Sequence, residues 1–100
     1  MEQIFSYGTL QDQRVQRELF GCLIEGREDA LAGYTTEPIE IEGKQFLRAI
    51  PSAYNNLSGK CLAVSKVELQ KVDAYEGSNY IRVKQNLRSG ISAWIYVRPE

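Results

Sequence analysis

Apolar and polar positions recur with two different periods along this chain, and the changes of period mark out its elements. Residues 3–7 (Gln3-Ile4-Phe5-Ser6-Tyr7) read as a first strand that breaks at Gly8. A helix follows to about residue 20, with Asp12 placed to cap it, Val15, Leu19 and Phe20 on one face, and Gly21 as the expected stop. Arg14, Gln16, Arg17 and Glu18 occupy the other face, which reads as solvated. Cys22 to Ile24 is a short apolar continuation, and Gly26 to Asp29 a polar break. A second extended stretch begins at Ala30-Leu31-Ala32-Gly33-Tyr34, and Ile39 and Ile41 alternate with Glu40 and Glu42 as in a half-buried strand. Gly43 turns the chain into Phe46–Ile50, which Pro51 is expected to end. Ser52 to Asn56 has the composition of a loop, and Leu57 to Val64 reads as another strand, in which Gly59 marks a bulge or a close backbone approach.

Ser65 with Glu68 three residues on is a capping-box pattern, so a short second helix is expected to about Tyr75. Val67 or Leu69, Val72 and Tyr75 give it a buried side, and Gly77 stops it. Tyr80–Leu87 and Ile91–Val97 then read as a hairpin about Arg88-Ser89-Gly90. In its last strand Ile91, Ala93, Ile95 and Val97 face one way and Ser92, Trp94 and Tyr96 the other. The order is strand, helix, three strands, helix, two strands. Two helices are too few to cover both faces of a doubly wound sheet. The expectation is an α+β fold, a strongly curved sheet or small mixed β-barrel with helices at its side, formed by a single domain over residues 1–100.

Composition narrows the chemistry. With 43% hydrophobic and 25% charged residues, 100 residues suffice for one core without staples. The net charge of −1, from 12 basic and 13 acidic side chains, supplies no basic footprint, so no nucleic-acid partner is expected. No run approaches the roughly 20 apolar residues of a membrane span, and the N-terminus has no signal-peptide pattern, so a cytoplasmic chain with no membrane partner is expected. Cys22 and Cys61, each in apolar company, read as small core residues. The chain has no histidine, which removes Ser-His-Asp and Cys-His catalysis and, with two separated cysteines, any zinc site. Acid–base work would fall to a carboxylate, a lysine or a tyrosine.

Two stretches combine unusual backbone with polar side chains. In Tyr7-Gly8-Thr9-Leu10, a strand breaks on glycine and enters a helix, leaving backbone N–H groups free for a carboxylate or an oxyanion. The other stretch, Asp73 to Arg82, ends the second helix. Glu76 stands there at the helix C-terminus, where the dipole disfavours a negative charge, beside Tyr75 and Tyr80. Asp73 is one turn earlier, within reach of pairing with Lys71 or Arg82.

Together these motifs resemble the γ-glutamylcyclotransferase-like family, which includes γ-glutamylamine cyclotransferases. The matching pieces are Phe5-Ser6-Tyr7-Gly8-Thr9-Leu10, Leu31-Ala32-Gly33-Tyr34, Ile50-Pro51-Ser52, Leu57-Ser58-Gly59-Lys60, Val72-Asp73-Ala74-Tyr75-Glu76-Gly77 with Tyr80-Ile81-Arg82, and Ala93-Trp94-Ile95-Tyr96-Val97. They run in the right order over essentially the whole chain. The resemblance implies a small barrel flanked by helices, with a cavity between the first loop and the second helix. It also implies that Tyr7, Gly8, Thr9 and Leu10 hold a γ-glutamyl head group and that Glu76 is the catalytic acid–base residue. Tyr80 and Arg82 match the motif's tail as substrate-binding candidates, Arg82 being divided between substrate and a structural pair with Asp73. The implied reaction needs no cofactor. The substrate's α-amine closes on its own γ-carbonyl to give 5-oxoproline, and an amine or amino acid leaves. Two departures bear on that leaving group: Ile50-Pro51 stands where many relatives have Tyr-Pro, and only Gly77-Ser78-Asn79 separates Glu76 from Tyr80. The competing reading is a binding or regulatory module that uses the same cavity, with Glu76 only a hydrogen-bond acceptor.

Overall fold

A computed structural model describes residues 1–99. Among the described residues five strands form, β1 (Glu2–Ser6), β2 (Arg27–Ile41), β3 (Lys44–Val64), β4 (Ile81–Asn86) and β5 (Ser92–Val97), with two α-helices, α1 (Gln13–Phe20) and α2 (Lys66–Glu76). They make one mixed sheet in the order β2-β3-β1-β5-β4, in which only β1 and β5 run parallel. The sheet curls until its two ends meet at one point. The Arg88 N–H donates to the Ala30 carbonyl at 2.8 Å, and the Asp29 carboxylate accepts from both the backbone N–H and the hydroxyl of Ser89. The result is a half-barrel with two helices, the curved-sheet architecture expected from the small number of helices.

Side-chain alternation divides the core between the two faces of this sheet. Phe5, Leu31, Leu57, Cys61, Ala93 and Ile95 fill the concave interior. Ile4, Leu62, Val64 and Tyr96 point the other way, where they meet Leu10 and the Leu69 and Val72 face of α2. Fully burying one of the larger of these apolar side chains contributes about 1.5–3 kcal/mol, so both layers are needed. Gly59 is the close approach that the sequence suggested: a Cβ there would lie 2.3 Å from the Ser6 carbonyl oxygen and 2.8 Å from the Phe5 ring.

Both helices begin and end where their local chemistry dictates. The Asp12 carboxylate accepts from the Arg14 N–H at 2.8 Å, and Gly21 closes α1 in the left-handed region at φ 74°. Ser65 and Glu68 form the full reciprocal box at the start of α2.

Three expectations are corrected. Pro51 does not end a strand: β3 runs on through it, and β2 and β3 are each continuous where three shorter strands were expected. Pro51 is tolerated because that part of β3 has β2 on one side only and because it adjoins a large bulge. Tyr34 pairs with Pro51 and Ala32 with Asn56, so residues 52–55 face Gly33 alone, whose φ of 82° accommodates the kink. Their loop-like composition thus reports a real excursion, with Tyr54 fully exposed, inside a longer strand. Secondly, Gln16 is buried, not solvated. Its amide donates to the Leu10 carbonyl at 2.8 Å and accepts from the Ile24 N–H at 3.0 Å. Finally, Cys61 is buried as expected, but Cys22 is exposed, in a segment without strand pairing.

Candidate functional site

Beyond the bulge, the β2–β3 ribbon continues as a two-stranded arm to a tight turn at Glu42-Gly43, where both residues have positive φ. This arm, the loop after β1 and the end of α2 enclose a cavity of about 820 Å³. The cavity brings together Tyr7, Gly8, Thr9, Leu10, Glu76 and Tyr80, six of the seven residues singled out from sequence.

The loop half is held rigidly. The Tyr7 ring packs against the barrel interior, while its hydroxyl donates to the Tyr96 carbonyl at 2.6 Å and accepts from the Ala49 N–H at 3.3 Å. Burial, with Tyr80 and Glu76 nearby, pushes its phenol well above the ordinary tyrosine range, so Tyr7 stays neutral. Thr9 to Gln11 form a single 3-10 turn, and the Thr9 and Tyr75 hydroxyls meet at 2.7 Å, tying the loop to α2. Gln16 holds the far end through the Leu10 carbonyl. Among the described residues, the Thr9 and Leu10 N–H groups have no hydrogen-bond partner.

Glu76 ends α2 and is half-buried. Among the described residues its carboxylate has no hydrogen bond and no ion pair. Burial alone pushes its carboxyl up to about 7. Such a group exchanges a proton readily near neutrality, as a general acid–base residue must. Tyr80 packs beside it and donates through its hydroxyl to the Leu47 carbonyl at 2.9 Å, fastening the arm to the body. Burial and the neighbouring Glu76 raise the Tyr80 phenol as well.

Arg82, the seventh residue, does not line the cavity. Its Nε is 3.1 Å from an Asp73 carboxylate oxygen, and its guanidinium lies 4.2 Å above the centre of the Trp94 ring. Strand alternation puts it on the outer face with Tyr96, its cross-strand neighbour. Ile50 and Pro51 are likewise absent from the lining.

Sequence reasoning missed the arm. Pro38, Ile41, Phe46 and Leu47 supply an apolar wall, and Phe46 and Leu47 remain 37% and 42% exposed. Asp12, Glu42 and Lys44 add charge around the cavity, Lys44 being the lone cation among the described lining residues. The alternation of Ile39 and Ile41 with glutamates signalled a half-buried strand, but nothing in that pattern shows where the arm folds. No group of metal-binding side chains occurs among the described residues, and no helix among them is long and apolar enough to cross a membrane.

A family model described as gamma-glutamyl cyclotransferase, AIG2-like, matches residues 4–100. No curated protein matches the sequence. Several solved structures share the fold. A solution structure of an Arabidopsis thaliana protein is 24% identical over 97% of this chain and 68% of its own, with a TM-score of 0.79. The crystal structure of an uncharacterized Pyrococcus horikoshii protein is 22% identical over 100% of this chain and 80% of its own, with a TM-score of 0.74. A structure named gamma-glutamyl cyclotransferase is 17% identical over 99% of this chain and 67% of its own, with a TM-score of 0.80.

Proposed function

The chain belongs to the gamma-glutamyl cyclotransferase, AIG2-like family, and from that premise we propose that it converts a γ-glutamyl amine or amide into 5-oxoproline and a free amine, with Glu76 as the general acid–base residue. The observation that carries this reading is the position of Glu76: an unpaired, half-buried carboxylate in the same cavity as the loop Tyr7–Leu10.

The γ-glutamyl head group lies against that loop. Its α-carboxylate, or the oxyanion formed at the γ-carbon, accepts from the free N–H groups of Thr9 and Leu10. Donors aimed at such an oxyanion typically contribute about 3 kcal/mol to the transition state. Glu76, its carboxyl held up near 7 by burial, takes a proton from the α-ammonium. The amine nitrogen then attacks the γ-carbonyl carbon, and a C–N bond closes the five-membered ring. The proton held by Glu76 passes to the departing nitrogen as its C–N bond to the γ-carbon breaks, and the second proton that the ring nitrogen sheds on becoming an amide goes to the released amine, which leaves as an ammonium ion. One amide is formed and one is broken, no redox change occurs, and Glu76 ends as it began. Because nucleophile and electrophile belong to one molecule, holding the folded conformer replaces an encounter, an advantage of about 10⁵ M or more in effective molarity. Tyr7, fixed by two hydrogen bonds and kept neutral, shapes the head-group end without competing for the proton.

The test is 5-oxoproline release from a panel of γ-glutamyl amines, γ-glutamyl amino acids and glutathione, by wild type and Glu76→Gln. The expected outcome is release by wild type from at least one class, and a loss of at least about 100-fold in kcat for the variant, the lower end of the usual general acid–base contribution. Equal activity of the two proteins, or none by either over the whole panel, would reject the proposal.

A further inference from the structure

Arg82 matches a motif position that invites a substrate role, yet it lies outside the cavity. What it does instead follows from its contacts. Asp73 precedes Glu76 by three residues, so the two are neighbours on the last turns of α2. One carboxylate oxygen of Asp73 receives the Tyr96 hydroxyl at 2.6 Å and the Arg82 Nε at 3.1 Å. Arg82 and Tyr96 are themselves directly opposed across β4 and β5, and Trp94 supports the guanidinium. A helix end, which ordinarily frays, is thereby fastened to two adjacent strands by charge-assisted hydrogen bonds. Tyr96 also serves the other half of the cavity, because its backbone carbonyl accepts from the Tyr7 hydroxyl. One residue therefore relates the loop to the helix: its main chain fixes Tyr7 and its side chain fixes the turn that carries Glu76.

Resting on the cyclotransferase reading, we propose that Arg82, Asp73 and the Tyr96 phenol are a positioning unit for Glu76, with Arg82 acting through Asp73 and never on the substrate. Displacement of a reacting group by about 1 Å can cost roughly 100-fold in rate while leaving ground-state contacts in place. The unit therefore governs kcat more than KM.

Tyr96→Phe and Arg82→Gln test this. Tyr96→Phe removes only the phenol hydroxyl and keeps the carbonyl that holds Tyr7. Each variant, shown to be folded by circular dichroism, is assayed for 5-oxoproline release and titrated by ¹³C NMR at the Glu76 side-chain carboxyl. The ionisable groups around that carboxyl are the raised phenols of Tyr7, Tyr80 and Tyr96 and the adjoining Tyr75 phenol, with Asp73 and Arg82 a turn away and Asp12, Glu42 and Lys44 elsewhere on the cavity. The expected result is a fall in kcat of about 10- to 100-fold with KM within about twofold. The Glu76 midpoint should fall from about 7 toward the ordinary 4.5 as the freed turn hydrates. A midpoint unchanged in both folded variants overturns the positioning unit whatever the kinetics. A raised KM with unchanged kcat for Arg82→Gln also overturns it, since Arg82 would then bind substrate. An inert wild type whose Glu76 midpoint still drops in the variants rejects the cyclotransferase reading and keeps the positioning unit.

Discussion

Replacing Glu76 by glutamine should stabilise the protein by an amount that grows as pH rises from about 4.5 to about 7. In the folded chain burial lifts the carboxyl from 4.5 to about 7. Between those values the native state holds a proton that the unfolded chain has released, so stability falls as pH rises through this window. Below it the glutamate imposes no penalty, and above about 7 the penalty is complete. At 1.36 kcal/mol for each pH unit the full cost is about 3 kcal/mol, and hydration through the open cavity reduces it to about 2 kcal/mol. Glutamine has nearly the same shape and no charge to desolvate. Urea denaturation at about pH 4 and about pH 8 measures the effect, since the wild type and Glu76→Gln should nearly coincide at the lower pH and separate by about 2 kcal/mol at the higher. For a domain of this size that corresponds to about 10 °C in Tm. A stability difference that stays the same, within about 0.5 kcal/mol, at both pH values would refute the reasoning, because it would mean that Glu76 ionises as freely in the fold as out of it. The test needs no substrate.

Other expectations concern the supports of the same cavity. With an active substrate, kcat/KM should rise with pH along a limb centred near 7 as Glu76 loses its proton; a flat profile from about pH 5 to 8 would exclude it as the base. Gly59→Ala places a Cβ 2.3 Å from the Ser6 carbonyl, which cannot yield without moving the start of the loop. It should lower stability by about 1–3 kcal/mol, and a thermal melt within about 2 °C of wild type would show that β1 gives way at little cost. Gln16→Leu keeps the side-chain bulk but strips partners from the Leu10 carbonyl and the Ile24 N–H. The expected loss is about 2–4 kcal/mol in chemical denaturation, and a loss below about 1 kcal/mol would mean that water replaces both contacts.

What could be read from sequence was what short-range chemistry decides. Asp12, Gly21, Ser65 with Glu68, and Gly77 place the helix ends because each acts on backbone groups within a turn of itself. The alternation in β5 correctly separates Ala93 and Ile95 from Trp94 and Tyr96, since both sheet faces are covered. The long ribbon was illegible for the opposite reason. Pro51 and the polar run after it argue locally for a loop, and only pairing with the distant β2, interrupted opposite Gly33, makes them part of one strand. Gln16 looked solvated because nothing within the helix reveals that the Leu10 carbonyl and Ile24 N–H need a partner. At the site, Glu76 and the Tyr7–Leu10 loop stood out by motif. The arm did not, because its contribution depends on where a hairpin bends.

The place of β1 in the sheet also bears on when the domain can fold. The strand lies between β3 and β5, both made after it, so it is enclosed only when the later of the two arrives. It gains one neighbour when residues 60–64 are available and the other only when Trp94 can lie beside Ile4. Until then its second edge stays open, and Tyr7 lacks the Tyr96 carbonyl that fixes it. Contacts so distant along the chain slow folding and lengthen the life of an unpaired edge. During synthesis, the half of the cavity formed by Tyr7 to Leu10 therefore waits until β5 has emerged.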